Sequence, residues 1–278
     1  MEEIKPKLLI SFSGGRTSAY MLWYILNNWR DKYDIVVVFA NTGKEHEGTL
    51  KFVHQCAEYF DIEIIWVEAY PRTKKGWGIK HKVVTYETAS RKGEPFEAMI
   101  SVLGIPNPDL VFCSDQMKRK AIESYLKSIG WKGYYKALGI RADEVDRINQ
   151  YWKKKKILYP LIRNGTLKRD VVIFWAKMPF DLVIPKGQGN CDACIKKGTN
   201  DLVELAREDV KVFDWWIDMT DKYGHVNPRN CELNPPFNFY RGNKSPLDII
   251  ALAQSNYTQM ELFEMDSGTG CITCEVTF

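Results

Sequence analysis

Long apolar runs are missing from this chain. No stretch approaches the ~18 consecutive apolar residues that a membrane-spanning helix needs, so neither a span nor a membrane partner is expected. The opening Met1-Glu2-Glu3-Ile4-Lys5-Pro6-Lys7 lacks the shape of a secretory signal and leads straight into an apolar run. That points to an intracellular, cytoplasmic protein, where disulfides are disfavoured. Histidine is scarce. His46, His54, His81 and His225 show no His-x-x-x-His ligand spacing, which argues against zinc-hydrolase chemistry. Two familiar nucleotide signatures are absent as well: the Gly-x-x-x-x-Gly-Lys-Ser/Thr loop and the Gly-x-Gly-x-x-Gly fingerprint. There is no internal repeat. Excess charge of one sign is small, at a net +4 over 278 residues, which suits anionic small molecules without demanding a nucleic acid. The densest basic run, Lys153-Lys154-Lys155-Lys156, reads equally as a solvated loop beside a strand or as an RNA or DNA contact.

Cysteine, by contrast, is plentiful. Of seven, four form two Cys-x-x-Cys pairs, Cys191/Cys194 and Cys271/Cys274. In an intracellular chain this suggests metal or redox chemistry before structural disulfides. Thiolates hold zinc or an iron–sulfur cluster, and two such pairs supply four of them. Cys56 reads as core on a helix face, and Cys231 lies in a Pro/Asn-rich loop.

The most informative stretch is Leu8-Leu9-Ile10-Ser11-Phe12-Ser13-Gly14-Gly15-Arg16-Thr17-Ser18. An apolar strand runs into a tight Ser-Gly-Gly turn, and helical periodicity begins at Thr17. Glycines let a backbone approach a phosphate, and the unpaired N–H groups of a first helical turn point at it. Ser11, Ser13, Thr17 and Ser18 can add donors and Arg16 can add charge. Further along, Asp34–Ala40 reads as a buried parallel strand, Glu47–Tyr59 as a helix and Ile62–Val67 as a third strand. The alternation predicts an α/β fold with a doubly wound, mostly parallel sheet. Such sheets bind ligands beyond the carboxyl ends of their strands, where Ser13-Gly14-Gly15 and Asn41-Thr42-Gly43 both fall. Residues 71–108 read as a loop-rich basic insert over the site, with a short helix near Phe96–Leu103. Ser114–Ser128 reads as an amphipathic helix, Tyr134–Ile140 as a strand and Ile157–Leu161 as a short edge element. Lys168–Lys177, Leu202–Tyr223 and Pro246–Met265 have helical patterns. The expected organisation is a nucleotide-binding α/β domain over residues 1–200 and a helical, cysteine-containing C-terminal region over 201–278.

Six short segments in order resemble the phosphoadenosine phosphosulfate (PAPS) reductase family, within the PP-loop or adenine nucleotide α-hydrolase-like superfamily. They are Ser11-Phe12-Ser13-Gly14-Gly15-Arg16-Thr17-Ser18, Asn41-Thr42-Gly43-x-Glu45, Cys113-Ser114-x-x-x-Lys118, Gly139-Ile140-Arg141-x-x-Glu144, Tyr159-Pro160-Leu161 and Gly189-Asn190-Cys191-x-x-Cys194. The resemblance implies a PP-loop-type fold and an adenine nucleotide (PAPS, adenosine phosphosulfate or ATP) held by Ser11, Ser13 to Ser18, Thr42, Gly43, Gly139 and Arg141. It implies Lys118 and Arg141 as cations beside a phosphate or sulfate; Lys118 also reads as a solvated helix residue, and Arg141 as a partner of Asp143 or Glu144. It adds Cys113 to the metal candidates Cys191, Cys194, Cys271 and Cys274. Two assignments stay open: Cys191, Cys194, Cys271 and Cys274 make a metal site, zinc or iron–sulfur, with Cys113 free near the nucleotide, or Cys113, Cys191, Cys194 and one of Cys271 or Cys274 hold a [4Fe–4S] cluster and the remaining thiol handles sulfur. Thr17 stands where the family usually has Asp, and Asn41 where the reductases usually have Asp. Losing the acid at position 17 argues against ATP cleavage, though magnesium stays possible. The implied activity is thiol-dependent reduction of a sulfonucleotide, with a thiol reductant such as thioredoxin as partner. Two alternatives stand beside it: ATP-dependent adenylation or thiolation of a nucleic acid or metabolite, and a non-catalytic nucleotide-binding module with a structural metal.

Overall fold

The computed structural model describes residues 4–71, 78–108, 110–185, 188–189, 191–227 and 234–255. Six strands form one sheet: β1 (Lys7–Phe12), β2 (Asp34–Asn41), β3 (Ile64–Pro71), β4 (Ile79–Val84), β5 (Tyr135–Ala137) and β6 (Ile157–Leu158). Their order is β4-β3-β2-β1-β5-β6, and every pairing is parallel except β3 with β4. From β1 the chain winds outward through β2 and β3, then returns to add β5 and β6 on the other side. The winding direction therefore reverses between β1 and β5, and a doubly wound sheet opens its ligand crevice at such a reversal.

Strand side chains alternate between faces, and both faces are apolar. Leu8, Ile10, Val37, Phe39 and Trp66 pack beneath α1 (Arg16–Asn28), α2 (Glu47–Tyr59) and, further along the chain, the Lys168–Trp175 helix. Leu9, Val38, Ala40 and Val67 face the opposite layer. That layer holds α3 (Glu94–Leu103), a π-helical turn (Cys113–Arg119) and α4 (Lys120–Ser128). The chain then adds α5 (Pro160–Arg163), α6 (Lys168–Trp175), α7 (Thr199–Glu208), α8 (Asp214–Tyr223) and α9 (Pro246–Gln254). Leu202, Val203, Trp216 and Ile249 of α7–α9 join the same core as Cys113, Cys191 and Cys194.

Several local expectations are corrected. The basic insert is not all loop: Ile79–Val84 is an antiparallel edge strand, mostly outside the core, whose backbone pairs with β3. Ser114–Ser128 is not a uniform α-helix, because its first turn is π-helical. Leu202–Tyr223 breaks at Asp209, whose carboxylate accepts from the Lys211 amide and starts a separate short turn. Pro160 opens α5 instead of ending a strand, where its lacking N–H removes nothing. Among the described residues no helix is long and apolar enough to cross a membrane.

The end of β2 is fixed by a buried carboxylate. Asn41 and Glu68 face each other across β2 and β3. Asn41 Nδ2 donates to Glu68 Oε1 at 2.7 Å and to the Ser90 carbonyl at 2.9 Å. Glu68 also accepts from the Ser90 amide at 2.6 Å and the Ser90 hydroxyl at 3.0 Å. The departure from Asp at position 41 thus has a structural reason: an acid there would set two carboxylates together and remove the amide donor. Asn41→Asp is expected to destabilise the fold by about 3 kcal/mol in denaturant titrations near neutral pH. Repulsion from Glu68 raises the new carboxyl's pKa in the folded state, so the deficit should shrink as pH falls toward the ordinary carboxylate range of about 4.

Candidate functional site

Three loops meet above the carboxyl ends of β1, β2 and β5. The first is the Ser13-Gly14-Gly15 turn into α1. Gly14 has φ +78°, and a Cβ there would lie 2.7 Å from Thr49 Cγ2, with Phe39 and Val53 closing the remaining space. Only glycine meets both demands. The Ser18 hydroxyl donates to the Gly15 carbonyl (2.8 Å) and accepts from the Gly15 amide (3.2 Å) and the Ser13 hydroxyl (3.0 Å). Ser18 therefore holds the shape of the turn. Ser11 Oγ is buried and has no hydrogen-bond partner among the described residues, a donor left over at the end of β1. Arg16 turns away from the cradle. Its guanidinium forks onto Asp181 at 2.6 and 2.7 Å and reaches the Leu182 carbonyl. The hydrogen bond to Asp181 raises its pKa.

The second loop follows β5. Gly139 lies against the backbone of Thr17 and Ser18, and Arg141 Nη1 donates to Thr17 Oγ1 at 3.1 Å. The same guanidinium holds Asp143 at 3.0 and 3.2 Å and pairs with Glu144 at 3.3 Å. The hydrogen bond from Arg141 pulls the Asp143 carboxyl below the usual range. Arg141 thus spans the winding reversal, paired with its own loop and in contact with α1.

The third loop follows β2, the strand beside β1, and reaches the cysteines. Gly43 has φ +81° and lies against Gly93 and Pro95, so the 71–108 insert reaches over this strand end. Thr42 donates from both its amide and its hydroxyl to Glu45 Oε2, each at 2.8 Å. Thr42 Oγ1 is also 3.5 Å from Cys191 Sγ. Lys118 Nζ lies 3.5 Å from Glu45 Oε1, with both groups buried. That distance makes an ion pair but not a full hydrogen bond, since the same oxygen has no donor among the described residues. Lys118 is therefore a buried cation at the end of the π-helical turn that Cys113 begins, not a solvated helix residue. Such turns are rare and concentrate at functional sites.

The cysteine loop is clamped from outside. Glu45 and Cys191 form an antiparallel bridge, and the Asp192 amide donates to the Lys44 carbonyl. Lys44 Nζ pairs with Asp192 at 2.8 Å, and the Trp216 indole donates to the same carboxylate at 2.9 Å. Lys197 Nζ collects the carbonyls of Cys191 (3.0 Å) and Asp192 (2.8 Å). Lys196 reaches Ser114 Oγ at 3.1 Å, tying the loop to the turn that carries Cys113. Cys113, Cys191 and Cys194 are all buried in one core. In donor type they suit zinc or an iron–sulfur cluster. Among the described residues, however, no three Cys, His, Asp or Glu side chains come close enough to hold an ion. Cys271 and Cys274 lie outside the described residues. Cys56 is core as expected, and burial pushes its thiol pKa up.

Glu45, Glu68, Lys44, Asp192 and Lys197 were not singled out as site residues by sequence. The Asn-Thr-Gly-x-Glu spacing was the one available signal for Glu45. Gly14→Ala is expected to lower stability by about 2 kcal/mol or more and to abolish nucleotide binding, checked by thermal melting with and without an adenine nucleotide.

A family model, the phosphoadenosine phosphosulfate reductase domain, matches residues 7–159. An uncharacterized nin region protein of Escherichia phage lambda is 32% identical, with 96% of this chain aligned to 94% of that protein. An uncharacterized protein of Methanocaldococcus jannaschii is 26% identical over 80% of this chain but only 43% of its own length. The solved U34-tRNA thiolase NcsA from Methanococcus maripaludis with its [4Fe–4S] cluster aligns with 83% of this chain and 76% of its own, at 14% identity and a TM-score of 0.37, a partial likeness only. The family model begins with β1 and runs through the Ser-Gly-Gly turn, the Thr42 loop, the Cys113 turn and Arg141 as far as Tyr159, and with that span and the phage relative's near full-length match the chain belongs to the phosphoadenosine phosphosulfate reductase domain family.

Proposed function

We propose that this protein is an enzyme that holds an adenine nucleotide over the ends of β1, β2 and β5 and carries out thiol-dependent sulfur chemistry on it, as a sulfonucleotide reductase does. One observation carries the reading: Thr42 Oγ1 touches both Glu45 and Cys191 Sγ. Thr42 follows β2, the neighbour of β1 in the sheet, so a sulfonyl group on a nucleotide at the β1 turn would lie toward the cysteine side.

The residues divide the work. The first-turn amides of α1 and the Ser11 and Ser13 hydroxyls receive phosphate oxygens. Arg141, already at Thr17, supplies a planar fork to the same anion. Thr17 contributes a neutral hydroxyl, so no carboxylate stands at that position against the phosphate. Lys118 places a buried positive charge near the leaving oxygens. In the reaction a thiolate, from Cys271 or Cys274, attacks the sulfonyl sulfur. An S–S bond forms, the S–O bond to phosphorus breaks, and the nucleotide departs with the electron pair. A thiolate of an external dithiol such as thioredoxin then displaces sulfite from the protein thiosulfonate, and the dithiol's second thiol resolves the mixed disulfide, which frees the protein thiol and leaves the dithiol oxidised. Cys113, Cys191 and Cys194 with a thiolate of the C-terminal pair would supply the donor type that a [4Fe–4S] cluster or zinc takes, although the three do not come together among the described residues, and a group bound there would fix the cysteine loop beside the cradle.

Sulfite release from PAPS or adenosine phosphosulfate with a dithiol tests the reading, and silence from both substrates with the protein folded would overturn it. Arg141→Ala is expected to weaken adenine-nucleotide binding by about tenfold to a hundredfold in calorimetry, the loss of a charged hydrogen-bond pair. Metal analysis and the visible spectrum of anaerobically purified protein should show iron and sulfide, or zinc, and Cys191→Ser should deplete either.

A further inference from the structure

A second surface lies at the other end of the sheet. β5 and β6 are parallel, and Arg141 follows β5 while Lys156 precedes β6. The segment Tyr151-Trp152-Lys153-Lys154-Lys155-Lys156 therefore stands at the amino ends of the strands, away from the nucleotide crevice. All six side chains are exposed, including Tyr151 at 57% and Trp152 at 38%. The segment is nonetheless a built turn. The Trp152, Lys155 and Lys156 amides donate to the Asn149, Tyr151 and Lys153 carbonyls at 2.9, 2.9 and 3.1 Å, and the Ile157 amide closes back on the Trp152 carbonyl at 2.8 Å. The Asn149 amide is anchored on Tyr159 Oη at 2.9 Å.

Basic and aromatic groups alternate across this end. Lys153 Nζ lies 5.4 Å over the Trp152 ring, Lys156 Nζ 5.7 Å over Tyr135, Lys136 Nζ 5.7 Å over Tyr134 and Lys7 Nζ 5.4 Å over Trp131. The charges are close enough to oppose one another: Lys136 has its pKa lowered first by burial, with Arg119 and Lys155 adding repulsion against a compensating pull from Glu123. A chain of phosphates would relieve that repulsion, and exposed aromatic rings beside cations are what unstacked bases take up.

We propose that the Tyr151–Lys156 turn, with Lys136 and Lys7, is a docking surface for single-stranded nucleic acid, separate from the nucleotide crevice. Lysines engage successive phosphates, and Tyr151 and Trp152 stack on bases. Because each single-stranded phosphate contact contributes ~0.7 to the salt slope, removing three lysines should reduce that slope by about two.

The test uses the full chain and fluorescein-labelled 20-nucleotide RNA, DNA of the same sequence, and its duplex, followed by anisotropy against salt. Single strands should bind more tightly than duplex and quench tryptophan fluorescence in the wild type but not in Trp152→Ala; the RNA and DNA arms say which sugar is preferred. Lys153→Gln/Lys154→Gln/Lys155→Gln should weaken binding at least tenfold at low salt and lower the slope as stated, while Trp152→Ala should remove the preference for single strands. Adenine-nucleotide binding should be unchanged in both variants, which separates this surface from the proposed reductase site. Equal binding by wild type and the triple variant overturns the proposal. So does equal competition by polyglutamate, which would make this a general polyanion patch.

Discussion

The Glu45 carboxylate is the interaction on which the site depends. It is buried beyond the end of β2, and an unpaired charge there would be strongly unfavourable. Two hydrogen bonds from Thr42 and the nearby Lys118 ammonium compensate it. Each compensating group belongs to a different part of the site: Thr42 to the strand end, Lys118 to the π-helical turn, and the backbone bridge of Glu45 to the cysteine loop. The carboxylate sets the spacing between parts that are far apart in sequence. Its partner Lys118 is thereby held inside the protein, where charges interact more strongly than in water.

Much of the fold is legible in the sequence because the central strands are buried on both faces. Runs such as Leu8–Phe12 and Asp34–Ala40 have no solvated face, and that pattern leaves little room for another reading. The edge strand Ile79–Val84 is hidden for the opposite reason. Its side chains face largely outward, so its composition looks like loop, and only pairing with β3 makes it a strand. The π-helical turn is equally invisible, since Cys113–Arg119 contains nothing that disfavours an α-helix.

Within the site, Gly14 and Gly43 were legible because glycine at a strand end signals a backbone that turns where side chains cannot follow. The fate of the charged groups was not. Arg16 belongs to the cradle by position, yet Asp181, 165 residues away in the chain, takes its guanidinium. Lys118 looks like a helix-surface lysine and is buried against Glu45. Arg141 pairs with Asp143 and Glu144, one of the two readings that the sequence left open, and it also reaches Thr17. Local spacing fixes where a side chain begins, while long-range partners decide where its charge ends.

The two borders of the sheet have a consequence for association. One border is β4, whose outward-facing backbone carries Lys80 and Lys82; the other is β6, two residues long and followed closely by Pro160. Lysines and extreme shortness are the two commonest ways in which natural sheets refuse a further strand. Among the described residues, both borders thus carry features that discourage another chain from continuing the sheet. The sheet edges are therefore poor places for self-assembly, and the helices and loops of the described residues are the surfaces better suited to it.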